Sequence, residues 1–213
     1  MPIALDPSLP RELYPLAWLI GTWEGAGAVQ LREQDGTVVE RRIEQRLVCT
    51  AQEDGTLGWR MSTDAIDTAA PLPPTSAFAK DTDVPAERYV GSGERTPLLR
   101  ENGVWTVGDP LPGQDLAAAE AAKPGDPAGV ISYALQAKLD SADGERMWLG
   151  EVRGPRIQLA PPDATQTRMF GYISGRVMWL WERAPHGTDT ADAAGAPAAD
   201  ALVPYLSVEL DRA

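Results

Sequence analysis

The chain has 213 residues, of which 43% are hydrophobic and 23% charged, so it can form a packed core and is not a disordered chain. Its 31 acidic and 19 basic residues give a formal net charge of −12, which makes nucleic acid and anionic membrane surfaces poor partners. The single cysteine, Cys49, excludes an internal disulfide, and the single histidine, His186, excludes a histidine-rich metal site. The acidic, proline-containing N-terminus does not resemble a signal peptide, so we expect a cytoplasmic protein.

Three stretches have the composition of long loops, rich in proline and alanine, near residues 67–87, 108–129 and 184–201. Such segments bury too little apolar surface to offset the entropy lost on ordering. They interrupt the structured parts without separating two cores. We therefore expect residues 1–213 to form a single domain with loop insertions.

The N-terminal part of the chain predicts a helical turn followed by a hairpin. Pro10–Leu19 is a short helical turn, and Trp23–Leu31 is the first strand. The dipeptide Asp35-Gly36 favours a tight turn into the next strand, Thr37–Ala51. In that second strand apolar and charged residues alternate, although Arg41 and Gln45 fall on the apolar side. This period of two indicates a sheet with one buried face.

The rest of the chain predicts further short strands with turns between them. We interpret Asn102-Gly103 as a turn that precedes a strand over 104–107. The other predicted strands are 57–62, 130–139, 147–152, 156–159, 167–173, 177–181 and 202–210. About ten strands with hairpin spacing and no alternating long helices predict an all-β fold. A closed antiparallel barrel would leave no exposed sheet edge.

The sequence contains no motif of a common catalytic mechanism. A phosphate-binding loop, a nucleophile elbow and a zinc-binding helix are all absent, as is a Cys-x-x-Cys pair. His186 lies in a predicted loop, and Cys49 alternates with core residues as a buried, inert thiol would. We therefore assign no catalytic residue and no metal site from the sequence.

Three glycines and one tryptophan form the most distinctive local pattern. In an extended strand Gly21, Trp23, Gly25 and Gly27 project to the same face. The missing side chains leave room for another backbone that approaches closely, or for a flat ligand. Both interpretations stay open at this point.

The chain has seven Trp and only two Phe, an unusual ratio. Four of the indoles fall on inward parities of predicted strands: Trp23, Trp59, Trp179 and Trp181. Indoles at such positions either line a pocket or fill the core.

The segment Gly21–Gly27 matches the pattern G-x-W-x-G-x-G and resembles the nitrobindin family. The preceding Leu16–Ile20 and the closing Leu202–Arg212 also resemble that family. The resemblance implies an antiparallel barrel of about ten strands, of the calycin type found in fatty-acid-binding proteins. It also implies a ferric haem at the open end and conversion of peroxynitrite to nitrate.

The chain departs from the family at the iron ligand. Haem-binding members carry a histidine in the last strand, and Tyr205 stands at that place in this sequence. A phenol must lose a proton, with an ordinary pKa of about 10, before it binds iron, and the anion needs a nearby cation. Tyr205 also shares its parity with Ser207 and Glu209, so a bulge or a position at the open end of the strand would be needed to turn it inward.

Three hypotheses follow from this departure. The first is a nitrobindin-like barrel that has lost haem binding, holds no cofactor and takes another small hydrophobic ligand. The second is a haem-binding peroxynitrite isomerase that uses Tyr205 as its axial ligand or recruits His186 from its loop. The third is a scaffold that docks a protein partner through its loops, the segment 184–201 above all. The sequence leaves pairing of barrels through their outer faces open.

Overall fold

The computed structural model describes residues 8–33, 35–68, 91–123, 125–184 and 202–213. The described residues form ten strands, two short 3₁₀ helices (Arg11–Leu16 and Pro127–Gly129) and one α-helix, α1 (Leu116–Ala121). The strands are β1 (Gly21–Arg32), β2 (Val38–Ala51), β3 (Leu57–Ile66), β4 (Arg95–Pro110), β5 (Ser132–Ser141), β6 (Gly144–Arg153), β7 (Arg156–Ala160), β8 (Gln166–Ile173), β9 (Arg176–Arg183) and β10 (Val203–Arg212). No described helix has the length and apolar character needed to cross a membrane.

The ten strands form one closed antiparallel barrel, which confirms the predicted fold class. Each strand pairs with its neighbours in sequence, and β10 returns to pair with β1. Every strand is therefore paired on both sides over at least part of its length, and the described barrel has no edge strand. We call the end where β9 ends at Arg183 and β10 begins at Val203 the mouth.

The barrel closes where β10 pairs with β1 alongside two glycines. A Cβ placed on Gly25 would lie 2.0 Å from the carbonyl oxygen of Glu209, and one on Gly27 would lie 1.9 Å from that of Ser207. Gly21 has a φ of +138°, and the Arg212 guanidinium lies beside it. The glycines of the sequence motif therefore serve the close approach of a backbone, the first of the two interpretations above.

The end opposite the mouth is sealed by the N-terminal segment. Leu13, Leu16 and Leu19 are fully buried there. The Trp23 indole N–H donates to the Leu19 carbonyl at 2.8 Å. Arg212 lies over the Trp23 ring, with 4.8 Å between its guanidinium carbon and the ring centroid. These contacts place Trp23 at the closed end as a structural plug.

The barrel interior is packed with aromatic side chains. Trp59 and Trp105 are stacked at 4.7 Å between ring centroids, and Phe170 and Trp179 are stacked at 5.2 Å. Phe170 also meets both Trp59 and Trp105 edge-on. Such aromatic pairs contribute about 0.5–1.5 kcal/mol each beyond the area that they bury. Of the four inward indoles, Trp23, Trp59 and Trp179 thus fill the core, whereas Trp181 is half-buried at the mouth.

One local prediction was wrong, and one predicted loop contains regular elements. Asn102-Gly103 is not a turn but lies in the middle of β4. Glycine is needed there because a Cβ on Gly103 would lie only 2.1 Å from the carbonyl oxygen of Lys138. The predicted loop 108–129 contains the end of β4 and the helix α1, which begins where the Asp115 carboxylate accepts the Ala118 N–H. Of the other two loops, residues 69–87 and 185–201 lie outside the described residues. The single domain stays a prediction.

The close approach of β10 to β1 predicts a large effect of a single methyl group at Gly27. We expect Gly27→Ala to lower the free energy of unfolding by about 1–3 kcal/mol, because strand backbone, unlike a flexible side chain, cannot yield to the added Cβ. Denaturant unfolding monitored by tryptophan fluorescence measures the change.

Gly171→Ala is the matched control, since a Cβ at Gly171 meets its nearest neighbour only at 4.0 Å. This strand glycine should tolerate alanine with a change of about 1 kcal/mol or less in either direction. Equal effects of the two substitutions would show that the closure at Gly27 is not tight.

Candidate functional site

Tyr205 lies at the mouth and packs against the core. The pairing of β10 with β9 shifts register between Pro204 and Leu206, so Tyr205 sits at a bulge. As a result Tyr205 and its neighbour Leu206 both pack against the hydrophobic core. The bulge thus removes the parity conflict that the sequence presents at this residue.

Two side chains of β9 hold the Tyr205 ring. The Trp181 ring meets it edge-on, with 5.1 Å between centroids and an interplanar angle of 89°. The Arg183 guanidinium carbon lies 3.3 Å from the centroid of the Tyr205 ring. Burial lowers the pKa of Arg183, while its charge interaction and hydrogen bond with Tyr205 act in the opposite direction. The phenol therefore has a guanidinium cation as its immediate neighbour.

A buried ion pair lies inside the barrel beneath this group. Arg168 Nη1 and Nη2 each donate to one carboxylate oxygen of Glu101 at 2.8 Å. Arg168 is 1% exposed and Glu101 3% exposed. The Trp59 indole N–H donates to the same carboxylate at 3.0 Å. The two charges thus compensate each other in a bidentate geometry.

The Arg168 guanidinium is also enclosed by indoles. It lies 4.2 Å from the Trp148 ring centroid and 4.2 Å from that of Trp181. Trp181 therefore contacts the buried cation and also Tyr205, whose ring it meets edge-on. Through this indole the buried pair helps to set the position of the phenol at the mouth.

A second polar group inside the barrel is fully satisfied. Gln45, which interrupts the apolar side of β2, donates to Thr63 Oγ1 at 2.7 Å and accepts the Trp179 indole N–H at 2.7 Å. Gln45 is 3% exposed and Thr63 is fully buried. The polar residue in the pattern is thus an internal hydrogen-bond partner rather than a break in the buried face.

Arg183, Arg168 and Glu101 were not predicted from the sequence. The signal was nevertheless present: Arg183 follows Trp179 and Trp181 on the same parity of β9, and Arg168 shares that of the buried Phe170 in β8. A charged residue on a buried parity marks a paired or functional group. Only the fold shows that these charges meet at one end of the barrel.

The other predicted site residues have separate positions. Trp23 and Gly21 lie at the closed end, and Gly25 and Gly27 contact the backbone of β10 beyond Tyr205. The structure therefore does not gather the glycine motif and Tyr205 into one pocket. Cys49 is buried, and burial raises its pKa, as expected for an inert thiol. His186 lies outside the described residues.

A groove of about 470 Å³ lies along β1, β2 and β3, where the side chains of these strands face outward. Its walls carry ion pairs that neutralise one another, such as Arg46 with Glu24 at 2.7 Å and Arg95 with Glu44 at 2.6 Å. Exposed pairs of this kind contribute little to stability or recognition. The mouth, with its aromatic and cationic residues, is the better candidate.

Comparisons with known proteins agree with the resemblance in the glycine motif. Residues 12–212 match the family described as "THAP4-like, heme-binding beta-barrel domain". The chain belongs to this family. The nitrobindin resemblance is thereby confirmed. The expectation that the protein has no cofactor is wrong, because the family is defined by a haem-binding barrel.

Curated relatives match over nearly the whole chain. A protein of Kocuria rhizophila named peroxynitrite isomerase is 28% identical, covering 92% of this chain and 94% of its own length. A protein of the same name from Leifsonia xyli subsp. xyli is 27% identical, covering 93% of this chain and 99% of its own length.

A solved structure shows the same fold. The crystal structure of Rv2717c from M. tuberculosis superposes with a TM-score of 0.53 and covers 97% of this chain and 99% of its own. The sequence identity is 16%, so this likeness shows the fold alone.

The buried pair predicts a strong asymmetry between single and double substitutions. Glu101→Gln leaves the Arg168 charge buried without its counter-ion, and we expect a loss of about 3–5 kcal/mol in the free energy of unfolding. The double variant Glu101→Gln/Arg168→Met removes both charges and keeps an acceptor for Trp59. It should be more stable than the single variant in denaturant unfolding. A double variant less stable than the single one would contradict this interpretation.

Proposed function

We propose that this protein binds ferric haem at its mouth through the Tyr205 phenolate, and that it isomerises peroxynitrite as the names of its relatives indicate. The observation that carries the proposal is the position of Arg183 over the Tyr205 ring. A phenolate requires a nearby cation to be a stable iron ligand, and Arg183 provides it. Family membership supports haem as the ligand.

The residues at the mouth fit the group that the family implies. The bulge at Pro204–Leu206 brings Tyr205 against the core. Tyrosine is one of the side chains that ligate haem iron in proteins, and the Tyr205 ring has a guanidinium beside it. When bound, the haem supplies the iron at which a small anionic oxidant rearranges.

The chain itself supplies the environment of this site. Trp181, half-buried at the mouth, gives this end of the barrel an apolar surface suited to a large flat ring. Arg183 contributes positive charge at the entrance of a protein with a net charge of −12.

The first test is the titration of the purified protein with hemin. We expect a sharpened Soret band that saturates at one equivalent for the wild type, and loss of that band in Tyr205→Phe, because the phenyl ring has no oxygen donor. Tyr133→Phe is the control, since Tyr133 lies at the opposite end of the barrel and loses the same hydroxyl group. Equal loss in both variants would contradict the assignment.

The Tyr205→His variant distinguishes a barrel that has lost haem binding from one that binds haem through Tyr205. If Tyr205 occupies the place of the family's histidine, this variant binds hemin with the spectrum of an imidazole ligand. A wild type that stays unligated while Tyr205→His binds hemin would show that the wild-type barrel has lost haem. That outcome would overturn the proposal.

Arg183 should control the strength of the phenolate ligand. We expect Arg183→Gln to weaken hemin binding and to lower the rate of nitrate formation from peroxynitrite, whereas Arg183→Lys retains part of both, because lysine keeps the charge but lacks the planar guanidinium. Arg156→Gln is the control, since Arg156 is an exposed arginine of β7 at the far end of the barrel. No difference between Arg183→Gln and the wild type would exclude the role of this cation.

A further inference from the structure

Aromatic rings form a continuous column from the mouth into the core. Trp181 lies 6.4 Å from Trp179 between ring centroids, and Trp179 is stacked on Phe170 at 5.2 Å. Phe170 in turn contacts Trp59 edge-on at 5.7 Å. Indole is among the side chains most easily oxidised by one electron, and rings in contact couple well for electron transfer. The column therefore connects the mouth to a fully enclosed indole.

The fixed charges of Arg168 and Glu101 make an electron easier to remove from the inner indoles of the column than from Trp181 at the mouth. The Arg168 guanidinium carbon lies 4.2 Å from the Trp181 centroid and 5.7 Å from that of Trp179. A neighbouring cation disfavours a second positive charge, and more so at the shorter distance. Trp59, by contrast, donates its N–H to the Glu101 carboxylate. An electron deficiency is therefore least favourable at Trp181 and most favourable at Trp59.

The missing electron stays on the indole whose N–H proton has an acceptor. An oxidised indole becomes a strong acid, and a carboxylate that already accepts its N–H can take the proton. Trp179 donates instead to the amide oxygen of Gln45, which is a far weaker base. The Trp105 nitrogen has no hydrogen-bond partner among the described residues. Trp59 is thus the indole of the column with a built-in proton acceptor.

We propose that the Trp181–Trp179–Trp59 column is an electron relay that draws one-electron oxidation away from the mouth and holds it at Trp59. An oxidant of the nitrogen dioxide class takes one electron from Trp181 and becomes nitrite. Trp179 then gives one electron to Trp181, and Trp59 gives one electron to Trp179 across the Phe170 ring that lies between them. Trp59 ends one electron short and its N–H proton passes to Glu101. The electron leaves with nitrite, so the group formed by Trp59, Glu101 and Arg168 keeps a net charge of +1, on Arg168, until a reductant returns the electron.

The relay protects the residues at the entrance. Tyr205, which touches Trp181, would otherwise be the next group to lose an electron to the oxidant. A thiol or ascorbate-class reductant at the mouth returns the missing electron along the same column. The relay does not depend on bound haem, so its test and the hemin titration can fail independently.

The test uses the haem-free full chain with a photo-oxidant fixed at the mouth. Val203 is 39% exposed at the start of β10, and Val203→Cys accepts a thiol-reactive ruthenium polypyridyl label. Cys49 is 1% exposed and does not compete for the label. After a laser flash with an electron acceptor present, transient absorption should show an early radical at the mouth. That signal should be replaced by the neutral tryptophan radical of Trp59.

Two substitutions interrupt the column and one leaves it intact. Trp179→Phe should abolish the neutral radical and increase oxidation products at Trp181 and Tyr205 in peptide mass spectra. Trp59→Phe should leave a radical cation on Trp179. Trp148→Phe is the matched control, because Trp148 also packs on Arg168 and contacts Trp181 but does not lead inward.

The outcomes decide the proposal in either direction. Near-ultraviolet circular dichroism checks that each variant is folded, and if Trp179→Phe does not fold, Trp59→Phe carries the test. A neutral radical that is lost in Trp179→Phe or Trp59→Phe and kept in Trp148→Phe supports the relay. Absence of the neutral radical in the otherwise wild-type chain overturns it, as does its survival in Trp179→Phe or Trp59→Phe or its loss in Trp148→Phe.

Discussion

The close pairing of β10 with β1 is the constraint on which the remaining structure depends. At Gly25 and Gly27 the backbone of β10 occupies the volume that a side chain would need, so the barrel closes only with glycine there. The same strand, a few residues earlier, carries the bulge that turns Tyr205 toward the core. Closure and the position of the candidate ligand are thus two consequences of the path of a single strand.

The barrel interior contains stacked aromatic rings and a buried ion pair, which differ in their contribution to stability. Stacked indoles bury large apolar surfaces and hold one another by favourable aromatic contacts. The Arg168–Glu101 pair, in contrast, gains little stability over apolar residues of the same size, because both charges lose their hydration. Because the Arg168–Glu101 pair adds little stability and Arg168 contacts Trp181 beneath the mouth, we assign the pair a role in positioning the site. This agrees with the view that function belongs to a site placed on a widely used fold.

The sequence predicted the fold well and the site only in part. Period-2 alternation, hairpin turns and the glycine motif were local signals, and they were sufficient for a closed barrel and for the family. Asn102-Gly103 was misread because a glycine needed for close backbone approach looks the same as a glycine in a turn. Arg183, Arg168 and Glu101 were missed because their meeting depends on the register of distant strands. The absence of a histidine at Tyr205 suggested loss of the cofactor, since the cation that would support a phenolate could not be located from the sequence.

The central claim is that the Tyr205 oxygen is the protein ligand of ferric haem. Resonance Raman spectroscopy of the hemin complex tests it most directly, with protein prepared from ordinary and from ring-deuterated tyrosine. The account predicts enhanced tyrosinate vibrations that shift with the isotope and vanish in Tyr205→Phe. A hemin complex without tyrosinate bands, or with bands that persist in Tyr205→Phe, would contradict it.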